Sequence, residues 1–140
     1  MSFREKSAWI TLVTLILLTL FFVTHLPSSW TLAPRPGGFL FFALTVGVVA
    51  FVVIEIIAHI VVAILSPRDV KAPRDERERL IALKATSIAA HVYAFLSLGS
   101  VFLIHLGANE IGVAYCVFFS FIIAEVVNYA ARVIYYRRGV

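Results

Sequence analysis

The stretch FVVIEIIAHIVVAIL, residues 51–65, places Glu55 and His59 in an otherwise apolar run. The stretch CVFFSFIIAEVVNYAARVIYY, residues 116–136, places Glu125 in a similar setting. Each run belongs to a longer apolar segment, about 39–65 and 111–136, that is long enough to cross a bilayer, which takes about 20 residues in a helix. A charge at the bilayer centre costs about 2.5–3.5 kcal/mol even on the most permissive insertion scales. Each glutamate is therefore expected to face protein or water, and the pair marks a candidate functional site.

Composition predicts a membrane protein. Of the 140 residues, 61% are hydrophobic and 14% are charged, whereas soluble domains average about 45–50% and 25%. The lipid bilayer is thus the first predicted partner. The net charge of +4 does not indicate nucleic-acid binding, because the basic residues lie at predicted membrane boundaries, where topology explains them.

We predict an all-α, integral membrane four-helix bundle that forms a single domain over residues 1–140. The predicted spans are about 7–25, 39–65, 81–106 and 111–136, joined in the middle by a loop over 66–80. The third helix is expected to begin within that loop, with Pro73 in its first turn. The sequence GANE, residues 107–110, predicts a tight turn between the last two spans.

Basic residues predict the orientation. Nearly all of them flank the termini and the central loop, and only Arg35 falls in the other two loops. The positive-inside rule therefore predicts cytoplasmic termini and a cytoplasmic central loop. The basic residues that set this orientation, at both termini and in and next to the central loop, are Arg4, Lys6, Arg68, Lys71, Arg74, Arg77, Arg79, Lys84, Arg137 and Arg138. Those of the central loop also form a candidate docking surface for anionic lipid.

The two halves of the chain resemble each other weakly, which suggests a parallel internal repeat of two helix hairpins. FVTHLP at 22–27 is similar to FLIHLG at 102–107, and the segments around Glu55 and Glu125 are similar too. Glu55 precedes Arg68 by 13 residues, and Glu125 precedes Arg137 by 12. At 1.5 Å per residue, both glutamates are predicted about 18–20 Å from the basic edge.

Helical spacing groups further polar residues with these glutamates. His59 shares a face with Glu55, and His91 is expected at a similar depth on the third span. Of the two glutamates, Glu55 has fewer neutralising neighbours on its own helix and is the better candidate for chemistry. The predicted binding or proton/ion site comprises Glu55, His59, His91, Glu125, Asn128, Tyr129 and Arg132.

Three interpretations of these residues stay open. In the first, they form a network that locks the helices together, as polar residues in spans often do. In the second, they bind or conduct protons, ions or a small solute, since Glu and His chains build proton relays. Because four spans leave little room for a pathway, this interpretation requires a homo-oligomer, most simply a dimer.

The third interpretation is a cofactor site. Glu55, His59, His91 and Glu125 are of the residue types that bind metal ions. Alternatively, b-type haem would be bound by His25, His59, His91 and His105. Of these, His91 and His105 are 14 residues apart, which leaves them about 40° apart around one helix and so on the same side of it.

No catalytic residue is predicted, since no nucleophile elbow, phosphate loop or zinc-protease motif occurs, and an enzyme is the less favoured class. The small-residue pairs Ala43–Gly47 and Ala90–Ala94 predict helix contacts.

Three motifs carry a family resemblance: SFREKSAWI at 2–10, RDERERLIALKA at 74–85 and YYRRG at 135–139. With them the chain resembles small bacterial four-span membrane proteins of a family whose domain has no known function. The resemblance implies a bacterial inner-membrane protein. It implies no activity and no site residue.

Overall fold

The computed structural model describes residues 3–25, 37–65, 75–108 and 110–138. They form four helices: α1 (Phe3–His25), α2 (Gly37–Leu65), α3 (Glu76–Phe102) and α4 (Glu110–Arg138). A 3₁₀ turn, Leu103–Leu106, continues α3. These segments contain no strand, and each helix is long and apolar enough to cross a membrane. The predicted all-α, four-helix membrane fold is confirmed.

The third helix begins where its charges favour a helix start. Asp75 is its N-cap residue, and Glu76 and Glu78 lie in its first turn, next to the positive end of the helix dipole. Residues 76–80 are therefore helical, in agreement with the expectation that the third helix begins within the loop 66–80. Pro73, predicted in the first turn, lies outside the described residues.

The turn between α3 and α4 is tight, as the GANE sequence predicts. Gly107 has a φ of 84°, a left-handed conformation that favours glycine. Its N–H donates to the Ile104 carbonyl at 3.1 Å, and the Ala108 N–H donates to the Leu103 carbonyl at 3.0 Å. The chain thereby reverses direction and reaches the start of α4 within a few residues.

The helices are neighbours in the order α2, α1, α4, α3. The main contacts are between α3 and α4, α1 and α4, and α1 and α2. Ile81, Ala85 and Ala89 form the buried face of α3, and small residues at this spacing allow close helix approach. A two-fold axis between the hairpins would match the contact of α1 with α4 by an equal contact of α3 with α2. α2 and α3 are not a main contact, so the packing of the hairpins lacks this symmetry. The similarity of the two halves in sequence stays a prediction of a repeat.

Contacts between charged and aromatic side chains define one end of the bundle, which we call the charged end. Arg4 of α1 forms an ion pair with Glu78 of α3. The Arg137 guanidinium of α4 lies 5.1 Å from the centre of the Trp9 ring. The beginnings of α1 and α3 and the end of α4 therefore meet here.

The opposite half of the bundle is packed by aromatic rings. Phe22 is 6% exposed, and its ring centre lies 5.4 Å from that of Phe118 and 6.5 Å from that of Phe119, both edge-on. We call these three residues the aromatic cluster. Phe22 also approaches α2 at Gly47, where an added Cβ would lie 2.6 Å from the ring. Gly47 is thus a contact residue, as predicted.

We expect Gly47→Val to destabilise the protein by about 1–3 kcal/mol, because the new side chain would overlap the buried Phe22 ring. The matched control is Gly99→Val, since a Cβ at Gly99 meets no atom within 4 Å. Reversible unfolding in mixed micelles measures both changes. Equal losses in the two variants would show that Gly47 matters for backbone flexibility and not for this contact.

Candidate functional site

Glu55 faces the interior of the bundle. Its side chain is 15% exposed, although α2 exposes most of its apolar residues, such as Ile54 and Ile56. The Thr11 hydroxyl of α1 donates a hydrogen bond of 3.0 Å to Glu55 Oε2. The expectation that this carboxylate avoids lipid is thereby met, and its partner comes from the one helix on which α2 mainly packs.

His59, one turn further along α2, connects the carboxylate to a second hydroxyl. Its Nδ1 lies 2.8 Å from the Glu55 carbonyl oxygen and 3.2 Å from Glu55 Oε2. Since both oxygens accept, Nδ1 carries a hydrogen. The other nitrogen, Nε2, lies 2.7 Å from the Ser7 hydroxyl of α1. A hydroxyl both donates and accepts, so Ser7 can pair with the neutral or the protonated ring.

Tyr129 places α4 next to this network. Its side chain interacts electrostatically with both Glu55 and Glu125 and lies close to Thr11. The contact between Thr11 and Glu55 therefore lies beside a phenol of α4.

Glu125 has its own partners on α4. Asn128 Nδ2 donates to Glu125 Oε2 at 3.2 Å, and Arg132 Nε donates to Asn128 Oδ1 at 3.1 Å. The Arg132 guanidinium also lies 4.8 Å from the centre of the Tyr129 ring. Asn128 thus links the cation to the carboxylate, and Tyr129 links this group to Glu55. Of the predicted site, the structure brings together Glu55, His59, Glu125, Asn128, Tyr129 and Arg132.

One atom in the network lacks a partner. Glu55 Oε1 is buried and has no hydrogen-bond partner among the described residues. A buried polar atom left unpaired costs about 1–3 kcal/mol, and more when it is charged. The carboxylate is therefore held by donors at one oxygen, while the other oxygen is open to a proton or another donor.

His91 is the exception among the predicted site residues. It lies on an exposed face of α3, and its Nδ1 lies 2.7 Å from the Ser87 carbonyl of the same helix. The helix order explains this position, because α3 packs mainly on α4 and is remote from α2. Similar depth in the sequence therefore does not bring His91 to His59.

The two cofactor interpretations, a metal site and a haem site, can be compared with the positions of their predicted ligands. Within the described segments, no three His, Cys, Asp or Glu residues are grouped as a metal site requires. For haem, α3 ends at Phe102, and His105 lies in a 3₁₀ turn of about three residues per turn. The predicted alignment of His105 with His91 assumed a continuous α-helix; with a 3₁₀ turn the two residues are about 20° apart around the helix axis, and the haem site stays a prediction. The His25 side chain lies outside the described part.

Ser7 and Thr11 were not predicted as site residues. Their signal in the sequence is weak, since most threonines of α1 bond to their own helix. Thr14 donates to the Ile10 carbonyl at 2.8 Å, and Thr19 donates to the Leu15 carbonyl at 2.7 Å. Only the position of α2 distinguishes Thr11. Thr86 of α3 was not predicted either. Its hydroxyl lies 3.5 Å from the Arg132 guanidinium, and only the packing of α3 on α4 brings the two together.

Comparison with known proteins adds no relative: no family model, curated protein or solved structure matches the chain. The resemblance to small bacterial four-span proteins stays a prediction.

We expect Thr11→Val to destabilise the protein by about 1–3 kcal/mol, because it removes the donor to Glu55 and leaves the shape nearly unchanged. Thr14→Val is the matched control, since that hydroxyl bonds only within its own helix. In the Glu55→Leu background, the cost of Thr11→Val should shrink toward that of the control. An undiminished cost would show that the contact with Glu55 contributes nothing. Unfolding in micelles measures all four variants.

Proposed function

We propose that the protein is a bacterial inner-membrane protein that takes up a proton at Glu55 and passes it on within the membrane. The observation that carries the proposal is the buried, unpartnered Oε1 of Glu55, on a carboxylate whose other oxygen has donors. Binding a proton there removes the charge that this oxygen shares and that no donor stabilises. A proton also needs no cavity, unlike an ion or a solute.

The neighbours of Glu55 suit proton transfer. Imidazole and carboxylate side chains are the usual groups of intramembrane proton relays, and His59 lies 3.2 Å from Glu55 Oε2. His59 is also the more accessible of the two, with 37% of its side chain exposed. A proton would therefore arrive at Glu55 through Ser7 and His59. To leave through Thr11, the protonated carboxyl would have to donate to the Thr11 hydroxyl, which would turn its own hydrogen away from Glu55 and toward Tyr129.

The charged end provides the entry side. Ser7 lies one helical turn from Arg4 and two residues from Trp9, which both belong to that end. The positive-inside rule assigns this end to the cytoplasm. Beyond the network, the aromatic cluster packs between α1, α2 and α4. Release of the proton to the other side would then require these rings to move.

A structural role is the second candidate function. The same contacts join α1 to α2, and interhelical hydrogen bonds hold membrane helices together. The two functions differ at Glu55 Oε1, because a purely structural network gains nothing from an oxygen without a donor. They also differ in what Glu55→Gln does, since glutamine keeps an acceptor and loses the titratable group.

We expect proteoliposomes with the protein to conduct protons faster than empty liposomes under an imposed pH gradient. Glu55→Gln should reduce the protein-dependent flux at least tenfold, because the variant cannot accept a proton. Glu76→Gln is the matched control, an exposed residue of the charged end that lies outside the network. Dye-reported internal pH measures the flux.

Equal fluxes in the wild type and Glu55→Gln, with both proteins folded, would favour the structural role. If the wild type conducts no protons, the protein does not transfer protons across the membrane, and only proton uptake at Glu55 is left to test. In that case, titration of the purified protein would show whether Glu55 still binds a proton.

The orientation has its own test. In a Cys116→Ser background, we expect a cysteine at Arg138 to react with a membrane-impermeant maleimide only after the cells are opened. A cysteine at Ala108, in the turn at the opposite end, should react in intact spheroplasts. The reverse pattern would place the charged end outside.

A further inference from the structure

We propose that a second copy of this chain packs against the outward face of α3 and that His91 and Ser87 pair across the contact. This face is defined by Ser87, Ala90, His91 and Ala94, all of which are exposed. It lies opposite the buried face of α3 that packs on α4.

The depth of His91 is the first argument. His91 is the midpoint of the span Glu76–Leu106, and it lies seven residues, or about 10 Å, deeper than Lys84. An ionisable side chain at such a depth almost always faces protein or a water-filled cavity and not lipid. Within one copy of the chain, however, the structure leaves His91 exposed.

The hydrogen bonds on this face are the second argument. His91 Nδ1 donates to the Ser87 carbonyl, so the neutral ring presents Nε2 as an acceptor. The Ser87 hydroxyl has no hydrogen-bond partner among the described residues and offers a donor. The chain thus displays one acceptor and one donor side by side, toward lipid chains that can pair with neither.

The geometry makes a second copy the matching partner. Helical side chains lean toward the helix N-terminus, and the bond to the Ser87 carbonyl holds the His91 ring near the level of Ser87. A two-fold axis along the membrane normal would place the partner's Ser87 at this same depth. The hydroxyl of each copy would then donate to the imidazole of the other, which gives two equivalent hydrogen bonds.

The small residues on the same face are the third argument. The pair Ala90–Ala94 follows the small-xxx-small pattern that lets membrane helices approach closely. The sequence predicts a helix contact at this pair, but both alanines are exposed in the single chain. A second copy would satisfy that prediction. Lys84, on the same face nearer the charged end, has a side chain long enough to place its amine among the headgroups.

Cysteine cross-linking in native membranes tests the contact. In a Cys116→Ser background, we expect Ala90→Cys and Ala94→Cys to form disulfide-linked dimers on mild oxidation. Ile57→Cys is the matched control, because Ile57 is 56% exposed on α2. Dimers from Ile57→Cys with none from the two α3 variants, or no dimers at all, would overturn the proposal.

Energy transfer between labelled copies in micelles tests the hydrogen bonds. We expect Ser87→Ala and His91→Leu each to weaken association about fivefold, since each removes both symmetric bonds. The double variant should be little weaker than either single one, because the two residues act on one interaction. Ala94→Ile should weaken association at least tenfold by blocking close approach.

Each of these substitutions lies on an exposed face, so unfolding of the monomer should hardly change. Association unchanged by Ser87→Ala, His91→Leu and Ala94→Ile would overturn the proposal. A loss with Ala94→Ile alone would leave the contact and remove the hydrogen bonds.

Discussion

The hydrogen bond from Thr11 to Glu55 is the interaction on which the arrangement of the helices depends. α2 carries a carboxylate and an imidazole, yet its main contact is with α1 alone. In an apolar solvent, a helix with these groups must take its partners from the neighbour it touches. Thr11 and Ser7 supply them. α1 therefore connects α2 to the rest of the bundle.

The two halves of the bundle follow different packing principles. Near the charged end, two hydroxyls, an imidazole and a carboxylate pair across helices, and each contact is directional. In the opposite half, Phe22 fills the space against α4 and against Gly47 of α2. Directional polar contacts and aromatic packing therefore hold different halves of the same helices together.

Much of the fold is predictable from the sequence, because membrane spans depend on length and apolar content. The site is predictable in part. A buried charge must face protein, which identifies Glu55, and i, i+3 and i, i+4 spacing identifies His59 and Asn128. Nothing in the sequence fixes which helices are neighbours, because these helices are apolar on every side. For that reason Thr11 was missed, and His91 was expected in a site that it does not reach.

The infrared difference spectrum of the reconstituted protein between neutral and acidic pH tests the central claim most directly. A buried carboxyl group that gains a proton shows a new carbonyl stretching band, separate from the bands of carboxylates. We expect such a band in the wild type, its loss in Glu55→Gln, and a shift in Thr11→Val, where one hydrogen bond to the same group is missing. A band that persists unchanged in Glu55→Gln would contradict the assignment of Glu55 as the proton-binding group.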